Sequence, residues 1–326
     1  SEIVKFANEH KIPVVPRGAG TSLSGGVVPI QGGIIIDLSR MNRILEISIE
    51  NRYACVQAGV VCDDLNRELA KHGFTFPPDP ASSTVSTIGG NVATNAGGIK
   101  GAKYGTTRDY VLGLRVVLPT GEIMNTGSYT MKCVSGYDLS KLFIGSEGTL
   151  GVIAEVTLKI NPIPRHAMTA VATYVRLEDA GKAIFQTMTS GIIPSVMEIL
   201  DKVTLKSIKE HTDIDLPEAE AMILTEADGY TWEEVEAQME VILRILKQNN
   251  PSLIKTAKDE KDRLNLWKAR KSAYATLARA SNSFVLDDVT VPISKIPELL
   301  VGIQEIAKKH DMVIATYGHA GDGNLH

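Results

Sequence analysis

A run of glycine and hydroxyl residues near the start of the chain limits what the surrounding segment can fold into. The loop reads Pro16-Arg17-Gly18-Ala19-Gly20-Thr21-Ser22-Leu23-Ser24-Gly25-Gly26 and follows the apolar run Ile12–Val15. Glycines adopt positive φ and bring backbone amides close to a ligand, while the hydroxyls can donate to non-bridging phosphate oxygens. The sequence therefore favours a strand that ends in a phosphate-binding loop over a simple surface turn.

This loop differs from the two common nucleotide-binding motifs. It lacks the third glycine of the dinucleotide fingerprint, and no Gly-Lys-Ser/Thr ending of a P-loop follows. The next element is the strand-like Gly33–Leu38 and not an amphipathic helix whose N-terminus could hold a pyrophosphate. These observations disfavour a Rossmann fold.

Composition and charge exclude several classes of function. The 326 residues are long for one hydrophobic core and indicate two domains. A net charge of −4 without any basic run gives no reason to expect a nucleic-acid partner. Three scattered cysteines do not form a disulfide framework, a zinc site or an iron–sulfur site. Because neither a transmembrane segment nor a signal peptide is visible, we expect a cytoplasmic protein.

Periodicity and turn residues predict the elements of the first half. We expect a short helix that follows Ser1 as its N-cap and runs through His10, strands at 12–15, 33–38 and 53–58, and a helix at 63–72 stopped by Gly73. An irregular stretch over 76–103, a hairpin of 114–118 with 122–125, a helix at 139–144 capped by Asp138, and a strand at 152–160 are expected to follow. The proline-rich segment 161–165 then predicts a boundary between domains 1–163 and 164–326.

The second half alternates strand and helix patterns. Strands are expected near 168–175, 195–200, 221–226, 252–256, 284–291 and 312–318, and helices near 177–190, 201–211, 231–248, 258–280 and 293–310. Apolar residues spaced three to four apart, such as Val235, Met239 and Ile242, predict helices that cover one face of an antiparallel sheet.

Two histidines, His319 and His326, flank the segment Gly321-Asp322-Gly323. Side chains seven residues apart point to opposite faces of a straight strand, so the glycines must bend the chain for the two rings to converge. Neutral imidazoles are good ligands for a divalent transition metal, and a catalytic site needs two or three protein ligands and an open position. The residues by themselves leave two interpretations open, a metal site that needs a further ligand or ordinary loop histidines.

Four segments taken together resemble the FAD-linked oxidases of the vanillyl-alcohol oxidase type. They are the loop 16–26, Pro77–Pro80 followed by Ser82–Thr84, Ile88–Asn91 and Phe143–Gly151. The chain is most similar to the glycolate oxidase FAD subunit and D-lactate dehydrogenase branch, over essentially its whole length. The resemblance implies an α+β fold, in which a PCMH-type FAD-binding domain over 1–163 precedes a cap domain over 164–326 with a helix-covered antiparallel sheet. Because the family's chains extend further in both directions, both domains are expected to be incomplete.

The resemblance also implies a non-covalent FAD site. Relatives that link the flavin through the phosphate loop have a histidine where this chain has Gly20-Thr21, and Thr21 cannot form that bond. FAD contacts are expected from Pro16, Arg17, Gly18, Ala19, Gly20, Thr21, Ser22, Pro78, Asp79, Ser82, Thr84, Gly89, Asn91, Gly148 and Ile153.

Catalytic residues carry over from the family in the same way. Arg270 matches the arginine that grips the substrate carboxylate; the competing interpretation is a solvated helix face shared with Arg263, Lys268 and Lys271. His319 and His326 match ligands of a divalent zinc, manganese or iron ion, whose further glutamate ligand is expected beyond His326. Asn324 is expected to hydrogen-bond the substrate.

The activity implied by the family is oxidation of a D-2-hydroxyacid to the 2-oxoacid, with hydride transfer to flavin N5. Acidic residues and no second cation around Phe284–Thr290 favour D-lactate or glycolate over 2-hydroxyglutarate. Two alternatives stay open, an ether-lipid synthase that uses FAD without net redox change and a non-catalytic subunit that relays electrons. Electrons would leave to a quinone, an electron-transferring flavoprotein or an iron–sulfur subunit, through which the protein could also attach to a membrane. Self-association stays open as well.

Overall fold

The computed structural model describes residues 1–214, 216–280 and 283–326. The chain divides into two compact units, one made of Ser1–Gly98 with Tyr104–Ile163 and the other of Ile99–Lys103 with Pro164–His326. Each unit has its own hydrophobic core and its own sheet. Antiparallel sheets and helices occur together in both units, which confirms the α+β class.

A five-stranded antiparallel sheet organises the first unit. The strands of the unit are β1 (Val14–Arg17), β2 (Ile34–Asp37), β3 (Ile44–Ser48), β4 (Tyr53–Gln57), β5 (Phe74–Thr75), β6 (Val111–Val117), β7 (Ile123–Gly127), β8 (Val152–Lys159) and β9 (Asn161–Pro162). The main sheet has the order β3-β4-β8-β6-β7, while β1 pairs with β2 in parallel and β5 pairs with β9. The hairpin of β6 and β7 confirms the predicted one, and β1 begins two residues later than expected.

Helices pack on this sheet to form the core of the unit. They are α1 (Glu2–Glu9), α2 (Cys62–Ala70), α3 (Ile88–Thr94) and α5 (Ser140–Phe143). A short helix, α4 (Gly101–Tyr104), has its first three residues in the second unit and contributes no buried residue. Leu65 and Leu69 of α2 and Ile88 and Val92 of α3 are fully buried in one cluster with Val156 of β8. Burial of each such side chain contributes about 1.5–3 kcal/mol to the free energy of unfolding, so these contacts fix where α3 begins.

Helix α3 corrects the prediction that residues 76–103 are irregular throughout. Paired glycines disfavour an isolated helix, but a Cβ on Gly89 would lie 2.5 Å from the Cβ of Ala58, so only glycine lets α3 approach β4 this closely. The Thr87 hydroxyl accepts a hydrogen bond from the Gly90 amide at 3.3 Å and caps the helix. Asn95 ends it in the left-handed conformation, with φ +50°. Tertiary packing therefore overrides the local propensity.

The predicted cap at Asp138 is also wrong. Helix α5 begins at Ser140, and its N-cap residue is Leu139, which has no polar side chain to accept a hydrogen bond. Asp138 contributes only its backbone carbonyl, which accepts from the Lys141 amide at 3.3 Å. The helix is held instead by burial of Phe143 and by a 2.8 Å hydrogen bond between the hydroxyls of Ser140 and Thr126.

The second unit contains a seven-stranded antiparallel sheet. Its strands are β10 (His166–Tyr174), β11 (Val196–Asp201), β12 (Ala221–Gly229), β13 (Leu253–Thr256), β14 (Val289–Thr290), β15 (Tyr317–His319) and β16 (Asn324–Leu325), in the order β13-β10-β12-β11-β15-β16-β14. Its longer helices are α6 (Leu177–Met188), α7 (Lys202–His211), α8 (Trp232–Gln248), α9 (Glu260–Ala280) and α10 (Ile296–Lys309).

Helices cover both faces of this sheet, which corrects the prediction of one covered face. Ala172 of β10 and Ile223 of β12 lie on one face, in a core with α6, α8 and α10. Val171 and Leu224, which adjoin these two residues in sequence, lie on the other face in a core with α7 and α9. Because successive side chains of a strand alternate, a continuous apolar strand is buried on both sides. The face under α9 carries the candidate catalytic residues.

Two predicted strands are much shorter than expected. In place of 284–291 the chain forms only Val289–Thr290, because β14 pairs with β16 alone and β16 has two residues. Phe284 and Val285 lie outside any strand and are exposed. In place of 312–318 it forms β15, and the preceding Val313 is 87% exposed. A run of apolar residues was therefore not sufficient to predict a strand in these two segments.

Within the described ranges, no helix combines the length and hydropathy needed to cross a bilayer.

Candidate active site

A cavity in the first unit opens where β1 ends. It is lined by Pro16 to Ser22, and also by Ser82, Gly89, Asn91, Gly148 and Ile153, all of which the sequence suggested as FAD contacts. Residues that the sequence analysis did not name, including Thr87 at the start of α3 and Glu147, complete the lining. The loop and the first turn of α3 are thus brought to one cavity although some 70 residues separate them.

Three of the suggested FAD contacts do not line this cavity. Pro78 is buried, and its carbonyl accepts a contact from the thiol of Cys62 at 3.8 Å. Asp79 packs against Gly98, where a Cβ would meet the Asp79 carboxyl oxygen at 2.6 Å. Thr84 is exposed in a turn. The proline-rich segment therefore supports α2 and the chain beyond it, and only Pro80 and Ser82 of this stretch reach the cavity.

The loop has the properties of an anion-binding site. The backbone amides of residues 18–23 have no hydrogen-bond acceptor in the described part of the chain. Gly20 has φ +72°, and the Arg17 guanidinium lies 3.4 Å from where a Cβ of Gly20 would be, so a positive charge supports the loop. Unpaired amides beside a cation are the arrangement that binds phosphate groups.

Two polar atoms near the cavity are enclosed by the protein and do not face it. The Ser86 hydroxyl and the Nδ2 atom of Asn91 are buried and make no hydrogen bond of normal geometry among the described residues. The polar donors available to a ligand are therefore those of the loop. A nucleotide diphosphate fits its unpaired amides and the neighbouring Arg17 guanidinium.

We expect Gly148→Ala to abolish flavin binding. Gly148 has φ +80°, and an added Cβ would lie 2.5 Å from Cγ of Pro16 at the base of the loop. The strained backbone alone costs about 1–2 kcal/mol, and the clash displaces the loop as well. The measurement is the flavin-to-protein absorbance ratio of the purified variant. Gly136→Ala is the matched control, because φ is +72° there but nothing lies within 4 Å of the added Cβ; flavin retained at the normal ratio in both variants would contradict this role of Gly148.

A buried cluster of charged residues lies between β11 and α9 in the second unit. Glu198 of β11 is fully buried. One of its carboxyl oxygens accepts from Nε of Arg270 on α9, and the other contacts Nδ1 of His319 at 2.6 Å. β11 and β15 are antiparallel and pair Ile199 with Gly318. The adjacent residues Glu198 and His319 therefore also lie opposite each other. Glu198 therefore joins two of the predicted catalytic residues.

Mutual electrostatics set the ionisation of this cluster. Burial by itself would raise the pKa of Glu198, but the charges of Arg270 and His319 and their hydrogen bonds hold that pKa below its usual value. Burial would likewise lower the pKa of His319, yet the Glu198 charge and hydrogen bond outweigh it and raise that pKa. The cluster therefore favours a carboxylate flanked by cationic partners.

The rings of His319 and His326 converge, as the bend at Gly321-Asp322-Gly323 requires. β15 and β16 form a tight hairpin, and the ring centroids lie 5.1 Å apart at an interplanar angle of 89°. Nδ1 of His326 contacts Asp288, as Nδ1 of His319 contacts Glu198. Neither Nε2 atom makes a hydrogen bond in the ranges that the structure covers. Carboxylates on Nδ1 are the partners that orient metal-binding imidazoles, although no set of three or more potential ligands is gathered among the described residues.

Arg270 is not on a solvated helix face. It is 7% exposed, and its guanidinium carbon lies 5.0 Å above the ring of Tyr317. Arg263 is half-buried and also pairs with a buried carboxylate, whereas Lys268 and Lys271 are exposed. The interpretation of these four residues as a solvated helix face is thus wrong for the two arginines and right for the two lysines. The Nη atoms of Arg270 have no hydrogen-bond partner within the described ranges.

Asn324 and the residues that sequence reasoning missed complete the description of the cluster. Oδ1 of Asn324 accepts a hydrogen bond from the Thr290 hydroxyl at 2.8 Å.

Three residues of the cluster, Glu198, Tyr317 and Asp288, were not predicted as site residues. For Glu198 a signal existed, because a carboxylate in the middle of the apolar strand Val196-Met197-Glu198-Ile199-Leu200 is costly to bury unless it is paired.

Two family models match the chain. One, described as an FAD binding domain, matches residues 1–127, and the other, described as the C-terminal domain of FAD linked oxidases, matches residues 163–326. The chain belongs to the FAD-linked oxidases. Within the vanillyl-alcohol oxidase superfamily it falls in the branch of glycolate oxidase subunits and D-lactate dehydrogenases, as its sequence relatives indicate.

This FAD-linked oxidase is 45% identical to the glycolate oxidase subunit GlcD of Bacillus subtilis, over 100% of the chain and 69% of the relative. It is 39% identical to a D-lactate dehydrogenase of Anaerostipes hadrus, over 99% and 70%. The mitochondrial D-lactate dehydrogenase [cytochrome] of Arabidopsis thaliana is 38% identical over 100% of the chain, which spans 57% of that relative's length.

Solved structures share the fold at lower identity. An alkyldihydroxyacetonephosphate synthase superposes with a TM-score of 0.80 at 21% identity, over 99% of this chain and 63% of that one. A 4-ethylphenol oxidase from Gulosibacter chungangensis superposes with a TM-score of 0.76 at 19% identity, over 99% and 71%. These similarities confirm the PCMH-type FAD-binding fold.

Proposed function

We propose that this FAD-linked oxidase oxidises a small D-2-hydroxyacid, D-lactate or glycolate, to the 2-oxoacid. The observation that carries the proposal is Arg270, a buried guanidinium held by Glu198 through Nε while both Nη atoms lack a protein partner. Two parallel N–H donors that the protein leaves unused can bind a carboxylate in a bidentate way, so a carboxylate ligand is their natural complement. The names of the sequence relatives support the same substrate class.

In the proposed mechanism Arg270 binds the substrate carboxylate in a bidentate way. Its Nε remains on Glu198, which prevents the guanidinium from turning, and the ring of Tyr317 packs against its face. A planar fork held in this manner fixes the carboxylate and with it the α-carbon, so that the reacting C–H bond has one orientation. FAD, when bound, supplies the acceptor of the hydride at N5.

We also propose that His319 and His326 bind a divalent metal through their Nε2 atoms. Their Nδ1 atoms are engaged by Glu198 and Asp288, which leaves the other nitrogen of each ring as the donor. Two imidazoles with a carboxylate or water are a donor set suited to zinc, manganese or iron. Such an ion, when bound, supplies a Lewis acid that lowers the pKa of the substrate hydroxyl. Asn324 is proposed as a further hydrogen-bond partner of substrate.

The preference for a small substrate rests on charge. Asp288 contacts the ring of His326, and Asp287 precedes it and is exposed. A second, distal carboxylate on the substrate would meet these acids and be repelled. We therefore propose D-lactate or glycolate rather than 2-hydroxyglutarate.

The reduced flavin needs an electron acceptor outside the cofactor pocket. The Bacillus subtilis relative is named as a subunit of glycolate oxidase, which supports transfer to a partner such as an iron–sulfur subunit or an electron-transferring flavoprotein. We propose a cytoplasmic location, with any membrane attachment made through that partner. The FAD contacts that line the cavity and the domain limits 1–163 and 164–326 are part of the same proposal.

The test is anaerobic titration of the purified holoprotein with D-lactate, glycolate and D-2-hydroxyglutarate, followed by visible absorbance. We expect the oxidised flavin band to bleach with D-lactate or glycolate, with one equivalent of 2-oxoacid per flavin, and a chelator to slow the bleaching. A flavin that no 2-hydroxyacid bleaches would overturn the proposed activity and favour an electron-relay role. Product without net flavin reduction would favour the synthase alternative.

A further inference from the structure

A second buried carboxylate lies beside the first on the same face of the sheet. Glu226 of β12 is 2% exposed and pairs with Val196 of β11, two residues before Glu198. Its Oε2 atom accepts from the Thr169 hydroxyl at 2.6 Å and from Nε1 of Trp267 at 3.1 Å. The proposed substrate site does not use this group.

Arginine completes the pairing of Glu226. Nε of Arg263 donates to Oε2 at 3.0 Å and Nη2 donates to Oε1 at 3.4 Å. Glu226 therefore holds two residues of α9 that are four positions apart, on the face that also carries Arg270 three positions later. From Arg263 to Arg270 is two helical turns, or about 10 Å along the axis at 1.5 Å per residue.

Apolar packing holds α9 with few large side chains. Trp267, Ala269 and Ala273 are buried against the sheet, and Leu266 and Leu277 pack partly buried against the same core. Small side chains provide few ridges to interlock, so they define the rotation of a helix less sharply than large ones. The pair of Arg270 with Glu198 is one polar anchor in this contact, and Glu226 supplies a second anchor two turns away.

We infer that Glu226 is a positioning residue for the oxidation, because it fixes α9 through Arg263 and Trp267 and thereby aims the Nη atoms of Arg270. Buried ion pairs are weak stabilisers compared with apolar side chains of similar size, so conformational specificity is the contribution expected of this one. The inference rests on the proposed role of Arg270 in binding the substrate carboxylate.

The test compares Glu226→Gln and Trp267→Phe in the full holoprotein, with an artificial dye as electron acceptor. Trp267→Phe removes the N–H that donates to Glu226, together with part of the buried ring, and leaves the charge of Glu226 in place. Tyr174→Phe is the matched control, since it removes a buried hydroxyl that donates to the Leu246 carbonyl of α8, on the opposite face of the same sheet. We expect KM for D-lactate to rise roughly tenfold in Glu226→Gln and less in Trp267→Phe, with kcat changed less than KM. The control should leave KM unchanged.

An uncharged analogue separates positioning from a general loss of structure. D-lactamide cannot form an ion pair with Arg270, so its competitive inhibition constant should stay within about twofold in every variant that retains flavin. Equal weakening of D-lactate and D-lactamide, or an unchanged KM in both variants, would overturn the inference. If Glu226→Gln loses its flavin, Trp267→Phe decides.

Arg270→Lys, measured in parallel, separates this inference from the proposed function. If Arg270→Lys leaves the preference for D-lactate over D-lactamide intact, the role of Arg270 in the proposed function fails. If Arg270→Lys abolishes that preference and the Glu226 and Trp267 variants keep it, only the positioning role of Glu226 fails.

Discussion

Arg270→Lys is expected to lower kcat/KM for D-lactate or glycolate by between about 30-fold and several thousand-fold, which corresponds to roughly 2–5 kcal/mol. Arginine donates from Nε to Glu198 and leaves two further nitrogens for a carboxylate, whereas the single ammonium of lysine cannot serve both. Positive charge is retained, so Glu198 keeps a cationic neighbour and the fold should survive. Steady-state kinetics with an artificial electron acceptor measure the effect.

Arg279→Lys on the same helix is the matched control, because Arg279 is exposed in the last turn of α9 and the same chemical change is made there. Its kcat/KM should stay within about twofold. Flavin content and melting temperature confirm that both variants are folded. A kcat/KM for Arg270→Lys within threefold of the unmodified protein would remove Arg270 from the proposed substrate site.

Local chemistry accounts for much of what the sequence predicts in the first unit. The segment Gly18-Ala19-Gly20-Thr21-Ser22 shows its function through its composition, since a turn needs fewer glycines and hydroxyls. The hairpin of β6 and β7 is likewise predicted by its turn, Pro119-Thr120-Gly121. Helix α3 was missed because its stability comes from the contact of Gly89 with Ala58, which are thirty-one residues apart. No local pattern records that contact.

Contacts between residues far apart in sequence limit the prediction of the candidate catalytic cluster even more. The convergence of His319 and His326 follows from glycines within the same loop, and the sequence predicts it. Arg270 is 72 positions from Glu198, and its burial depends on which strand α9 covers. Seen in sequence, Arg263, Lys268, Arg270 and Lys271 are similar cations on one helix. Only the sheet register, which places Glu226 and Glu198 under the first and third of them, separates the buried pair from the exposed pair.

Glu198→Gln is expected to reduce both stability and activity. Removing the charge leaves Arg270 buried without a counter-ion, and breaking a buried pair from one side costs about 3–5 kcal/mol. His319 also loses the partner of its Nδ1, so both groups proposed to hold the substrate lose their orientation. Urea denaturation of the holoprotein and steady-state kinetics measure the two losses. Glu220→Gln is the control, since its pair with Lys202 is at the surface and such pairs contribute about 0–1 kcal/mol.

The pH dependence of stability gives Glu198→Gln a signature of its own, with a chelator present so that no metal competes with protons. The pKa of Glu198 is lowered, so its contribution is present above the ordinary value of 4.5 and lost as pH falls through the folded pKa. The pKa of His319 is raised, so its contribution is full below 6.5 and lost as pH rises through the folded pKa. The stability difference between the unmodified protein and Glu198→Gln should therefore be largest between about pH 4.5 and 6.5 and shrink at higher pH to the part due to Arg270. Parallel stability curves across this range would show that Glu198 and His319 do not form the ion pair on which the proposed site depends.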